Sequence, residues 1–343
     1  MVNDMDLNVI REKITDLVDV AEQRRISFSE IQSVFKSVKN SLNGRTFIHL
    51  KNKLGGEYDS VKLTTLHQNL SNIINAHIFF DDKLIFIFEK EDEIKTKLDA
   101  YFDSQNCGSY QPYKKQKPEE LCDFYHFFVC REINVKVQLS LNDLKEVDGN
   151  YQEIYAIEKI PLNCHDFIMI DNKWIVVGID LADVLGVNEL NIAENNFFNF
   201  LNKEIDIKLD KRVDLFPKIR AFYDLPQNSD NGVTEISFIT TAGTAHHEVL
   251  KGNATDLRQA PYHDGGVKAV RGQKYNGQLL NNDITPYKIN TRFYRMDNRD
   301  MDIAIKSSYR ALHTVNASHV YGAFIYGSRS LSDLNFAINR LTA

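Results

Sequence analysis

Apolar positions in the first 42 residues recur at three- and four-residue steps. Leu7, Ile10, Ile14, Leu17, Val18 and Ala21 make one stripe, and Ile31, Val34, Phe35, Val38 and Leu42 make a second. This is the spacing of two amphipathic helices. Ser27 or Ser29 supplies the second start with Glu30 in support, and Gly44 supplies the stop. The pattern predicts an αα-hairpin suited to packing or to self-association into a homo-oligomer.

From residue 45 the pattern shortens. Thr46-Phe47-Ile48 reads as strand, and Ala76–Phe80 and Leu84–Phe88 read as hairpin arms around the turn Asp81-Asp82-Lys83. Glu91–Ser104 follows as helix, with Ile94, Leu98, Tyr101 and Phe102 as its stripe. Asn106–Pro118 is polar, basic and broken by Gly and Pro, the composition of a linker. Beyond it Leu121–Arg131 is aromatic and predicted buried, and Val135–Leu141 and Glu153–Ile160 are predicted strands. Two more apolar arms flank Asp171-Asn172-Lys173, a weak echo of the earlier hairpin 90 positions upstream that raises the idea of a duplicated unit. Leu181–Leu185 and Glu194–Glu204 read as helices, and Asp224–Gly232 gathers turn formers into a second boundary.

The last third reads as strand Thr234–Thr241, a turn at Gly243, strand Thr244–Leu250 and a helix over Ala254–Val270. Strands Tyr287–Arg295, Asp302–Ser307 and Val320–Tyr326 follow, with a helix over Ser330–Leu341. Ser330 three residues before Asp333 suits the start of that helix. Gly265-Gly266 reads as an anion nest or, with Pro261 upstream, as a break in its helix. Gly322 and Gly327 read as strand ends. The predicted fold class is mixed α+β and multidomain. Residues 1–105 form a helical hairpin plus a small α+β unit, 119–224 a central α+β domain, and 233–343 a basic α+β domain.

Composition changes this picture in three places. Across 343 residues, 43% hydrophobic and 26% charged content is that of a globular rather than a disordered chain. Acids recur through Met1–Arg25 and no apolar run approaches the ~18 residues of a membrane span, so neither a secretory leader nor a membrane partner is expected, and the location is read as cytoplasmic. Cys107, Cys122, Cys130 and Cys164 contain no C-x-x-C pair, which argues against a disulfide framework or a thiolate zinc site. The net charge of −6 is divided, with 13 Lys and Arg against 9 Asp and Glu from Val233 onward, but 28 against 38 before it. Asn-, Lys- and Ile-rich usage fits an AT-rich genome such as mobile elements have, and motivates the expectation of a prokaryotic antiviral-defence or mobile-element role.

Candidate chemistry concentrates in the basic third. His246-His247-Glu248 on a strand would place His246 and Glu248 on one face. With His263 brought over, the three suggest a divalent-metal nuclease or phosphodiesterase site, with Lys251 or Arg258 holding phosphate. The alternative is a solvated strand face. Separately, Arg258, Lys288, Arg292, Tyr294, Arg295, Lys306 and Arg310 interleave cations with rings, the chemistry of phosphate neutralisation and base stacking. Glu204-Ile205-Asp206-Ile207-Lys208 resembles the PD-(D/E)XK nuclease pattern at this one place, with Asp171 or Asp180 as the earlier acid that family requires. No P-loop, dinucleotide-binding or nucleophile-elbow motif is present. The expectation ranked first is binding of nucleic acid or an acidic protein partner through the last third. An assembly subunit without chemistry and the metal-dependent enzyme are the alternatives.

Overall fold

Ile14, Val18 and Ala21, the inner stripe of the first predicted helix, are fully buried. The computed structural model describes residues 4–38, 44–56, 59–104, 108–119, 122–139, 154–181, 185–241, 243–251, 254–295, 299–313 and 319–343. Helices α1 (Asp4–Gln23), α2 (Phe28–Val38), α3 (Phe47–Lys53) and α4 (Ser60–Phe80) enclose a core of their own. Leu63, Leu66, Leu70 and Ile74 of α4 meet the α1 stripe there, so apolar faces that sequence left unpartnered close on one another.

Strand β1 (Lys83–Glu89) begins the second part of the molecule. Successive side chains of a strand point to opposite faces. Ile85 and Ile87 therefore enter one core while Leu84, Phe86 and Phe88 enter another. A strand covered on both faces has no polar alternation, which explains the unbroken run Leu-Ile-Phe-Ile-Phe. The other strands are β2 (Gln111–Glu119), β3 (Cys122–Leu139), β4 (Ile154–Ile170), β5 (Trp174–Asp180), β6 (Asn231–Thr240) and β7 (Ala245–Val249), followed by a short exposed ribbon of β8 (Lys274–Tyr275) and β9 (Gln278–Leu279), then β10 (Ile284–Tyr294), β11 (Asp300–Lys306) and β12 (Gly322–Tyr326). Apart from the ribbon they form one sheet, ordered β2-β3-β4-β5-β1-β12-β11-β10-β6-β7, antiparallel at every pairing.

Helices α5 (Glu93–Asp103) and α6 (Val187–Glu204) supply Ile94, Leu98, Phe197 and Leu201 to the core on one face of β3, β4, β5 and β1. Helices α7 (Phe216–Tyr223), α8 (Pro261–Arg271) and α9 (Leu331–Thr342) supply Ile219, Val267, Leu334 and Ile338 to the opposite face, against Ile289, Phe293, Ile303 and Ile325. The protein is thus mixed α+β with a large antiparallel sheet. Among the described residues no helix is long and apolar enough to cross a membrane.

Four local expectations are corrected. Thr46 is not strand but the N-cap of α3, its hydroxyl accepting from the His49 amide. Ala76–Phe80 is not a hairpin arm but the last turn of α4, because Leu66, Leu70, Ile74 and His77 continue its buried helical stripe. The turn Asp81-Asp82-Lys83 consequently joins a helix to a strand, and the proposed echo with the true hairpin β4–β5 disappears. From Gln111 onward the expected linker is β2, paired with β3. Finally, Ala254–Val270 is a 3-10 turn over Leu257–Gln259 followed by α8, and Gly265-Gly266 lies inside α8. Leu42 of the second predicted stripe and positions 182–184 of the predicted helix Leu181–Leu185 fall outside the described residues, and Gly186 is the N-cap of α6.

A buried ionic cluster fastens the helical part to the sheet. Arg24 reaches Asp180 at the end of β5 through two hydrogen bonds, and Lys83 Nζ and the His165 amide donate to the same carboxylate. Burial alone would raise Asp180, but the charges of Arg24 and Lys83 hold it below the usual carboxylate range. Neighbouring Asp166, fully buried, takes a two-pronged bond from Arg131.

Candidate functional site

Strands β10, β11 and β12 have one face in the core formed with α7 and α9, and on the other face they carry half-buried and exposed residues, with Phe324 of β12 packed at the margin of the α5–α6 core. In β10 the residues Ile289, Thr291 and Phe293 are buried, while Lys288, Asn290, Arg292 and Tyr294 between them are half-buried. The predicted shared face is therefore present. The register adds to it, since Lys288 stands opposite Lys306 and Arg292 opposite Asp302, and Tyr326 and Phe324 of β12 lie across from Asp302 and Ala304. Lys306 Nζ sits 4.1 Å from the centre of the Phe324 ring and 5.8 Å from that of Tyr326. Two cations directly opposed repel each other, and here Glu235 of β6 binds Lys288.

The charge on this face is smaller than the sequence suggests. Asp302 binds Arg292 at 2.8 and 3.0 Å, with Asp300 3.6 Å from the same guanidinium. The Tyr294 hydroxyl donates to the Thr255 carbonyl at 2.8 Å. Arg295, just past β10, turns to α9, where it lies over Phe336 at 4.4 Å and pairs with Asp333. Arg258 is a correction of a different kind. Its side chain is 3% exposed, and it donates to Asp256, Asn231 and the carbonyls of Tyr223 and Leu225. A guanidinium so fully satisfied is a structural strut and has no donor facing outward. Arg310 is exposed in the 3-10 turn Tyr309–His313 after β11. The face thus brings together Lys288, Arg292, Tyr294 and Lys306, and adds Phe324 and Tyr326.

The histidine cluster lies on the other side of the sheet, at its β7 edge. Alternation on β7 places His246 and Glu248 together as expected. Glu248 Oε2 lies 2.7 Å from Nδ1 of His263, whose Nε2 lies 2.9 Å from the hydroxyl of Tyr223. With the carboxylate ionised, Nδ1–H donates to Glu248 and Nε2 accepts from Tyr223. Burial pushes the Tyr223 phenol up against the lowering charges of Arg271 and Arg220, so it remains protonated. His246 takes no part in this chain. Its ring stacks on Phe238 at 4.9 Å with 7° between planes, and its Nε2 lies 3.1 Å from Thr244 Oγ1.

The expected metal triad is therefore not assembled. Both nitrogens of His263 are engaged and His246 points to a different partner. Among the described residues no three His, Cys, Asp or Glu side chains form a group that could hold a metal ion. The Asp-x-Lys pattern fares no better, because Asp206 lies outside any strand and pairs with Lys97 in solvent, whereas Asp180 is fully buried. Tyr223 was missed because nothing in Phe-Pro-Lys-Ile-Arg-Ala-Phe-Tyr marks one ring as special. Phe324 and Tyr326 were missed because alternation in a five-residue strand is too short to assign a face.

No family model matches the chain, and no curated protein or solved structure matches it.

Proposed function

We propose that the protein binds single-stranded nucleic acid on the open face of β6, β10, β11 and β12. The observation that carries this reading is Lys306, opposed by Lys288 and lying over Phe324 beside Tyr326. Ammonium groups neutralise phosphates, and half-exposed rings on a sheet offer stacking surfaces that only unpaired bases reach. The carboxylates that tie Lys288 and Arg292 limit the electrostatic share, so stacking contributes more of the affinity than counterion release.

Fluorescence anisotropy with labelled single strands and matching duplexes tests the reading. The expected result is preference for single-stranded DNA or RNA at low salt, with Lys306→Glu weakening it by about tenfold or more. Absence of binding at low salt, or indifference to Lys306→Glu in a normally folded variant, removes it. A place in antiviral defence or in a mobile element is a further proposal, supported by residue usage alone.

A further inference from the structure

Between the β7 edge and α8 lies a cavity of about 370 Å³ walled by Phe238, His246, Glu248, Tyr262, Gly265 and Gly266 among others. That size falls within the roughly 300–1,000 Å³ range of small-molecule sites. Its construction is specific in three ways. The His246 ring stacks face to face on buried Phe238, which holds the imidazole plane in place and leaves its outer face as the flat surface. Glu248 is anchored through Oε2 to buried His263, and among the described residues Oε1 has no hydrogen-bond partner. The third wall is α8, where a Cβ added at Gly265 or Gly266 would meet nothing within 4 Å.

The glycine pair needs a reason. A Gly inside a helix is less favourable than Ala, and neither position lies in the left-handed region. Since no neighbouring atom excludes a side chain there, packing does not require the pair. Both glycines are exposed and border the cavity, so α8 carries no side chain at these two positions of its rim.

We propose that this cavity binds a nucleobase, stacked on the His246 ring that Phe238 backs, with an exocyclic amino group donating to Glu248. An aromatic wall selects a planar ring, and a carboxylate fixed by a buried imidazole selects a donor edge. Adenine, guanine and cytosine carry an exocyclic amine, and uracil does not. The inference rests on the single-strand reading for the source of the base, and places a base-accepting pocket on the face of the sheet opposite the stacking surface.

Calorimetric titration of the full chain with adenosine, guanosine, cytidine and uridine tests it. At about 0.5 M salt phosphate contacts are screened, and nucleosides carry no phosphate, so the result is independent of Lys306. The amino-bearing nucleosides are expected to bind, with uridine weaker by about an order of magnitude. Glu248→Gln should reduce their binding by a similar factor, and Gly266→Leu, which fills the cavity with a good helix former, should abolish it while circular dichroism stays unchanged. No nucleoside binding, uridine bound as well as the others, or full binding by Gly266→Leu overturns the proposal. Oligonucleotide binding lost in Lys306→Glu with nucleoside binding intact would support two separate sites, whereas oligonucleotide binding that depends on Lys306 without any nucleoside binding would leave the open face standing and overturn the pocket.

Discussion

Arg24 and Asp180 are joined by two hydrogen bonds of 2.9 and 2.8 Å, although 156 positions separate them in the chain. Arg24 follows α1, and Asp180 closes β5. The pair is 5% and 0% exposed at the side chains and ties the helical part to the sheet. Removing one partner of a buried ion pair leaves a charge without compensation. Arg24→Met is expected to lower stability by about 3 kcal/mol, the low end of the range for such breaks because Lys83 and the His165 amide still hold Asp180. Urea unfolding of the whole chain measures this, and a change within experimental error would contradict the structural role given to the pair.

Two buried imidazoles predict sensitivity to mild acid. His126 is fully buried between Phe79 and Phe124, and neither ring nitrogen has a partner among the described residues. Burial, with the charge of Lys83 nearby, pushes it well below the ordinary histidine value. Burial likewise brings His165 down to about 4, although the charge of Asp180 works the other way. A folded-state value below the unfolded one means that the unfolded chain takes up protons first as pH falls from about 6.5. Stability therefore declines through the window from about pH 6.5 to 4, by roughly 2 kcal/mol at pH 5 from His165 alone. His126→Phe should flatten the dependence and, by removing two unsatisfied nitrogens, raise stability at pH 7. An unchanged slope in the pH profile of the urea midpoint would refute the assignment.

Gly265→Ala and Gly266→Ala are each expected to stabilise the protein by about 0.5–1 kcal/mol, since helix propensity rises and the added methyl meets open space. Gly178 is the contrast, because a Cβ there would lie 2.1 Å from the Phe167 ring. Gly178→Ala must move that ring within a packed core and should cost about 1–3 kcal/mol. Thermal melts of the three variants decide both signs.

Arg258 and Lys306 separate structure from binding. Arg258→Met removes the guanidinium donor from Asp256, Asn231 and the carbonyls of Tyr223 and Leu225, and is expected to lower the melting temperature markedly. Lys306→Glu touches an exposed position and should leave the melt within about 0.5 kcal/mol of the parent. For oligonucleotide binding, the paired state of Lys288 and Arg292 predicts a shallow salt dependence, a slope of about −1 to −2 in log K against log salt for two or three phosphates on a single strand. A slope as steep as that of a strongly basic binding protein would mean that contacts outside this face dominate.

What the sequence determined was local. Strict three- and four-residue spacing placed α1 and the α2 stripe, Ser330 before Asp333 placed the start of α9, and alternation along residues 288–294 put Lys288, Arg292 and Tyr294 on one face. Those signals lie within a few residues of one another, so periodicity suffices to read them. The short apolar run Ala76–Phe80 misled because five residues fit a helix as well as a strand, and only the buried stripe of α4 settles which. Tertiary structure alone decided the rest. It set β1 between β5 and β12, bound Arg24 to Asp180, met His263 with Tyr223 and Glu248, and gave Lys288 and Arg292 carboxylate partners from other strands. Each of these depends on which elements fold against one another, and a cation's sign can be read from its residue type, whereas its neutralisation requires knowing what folds beside it.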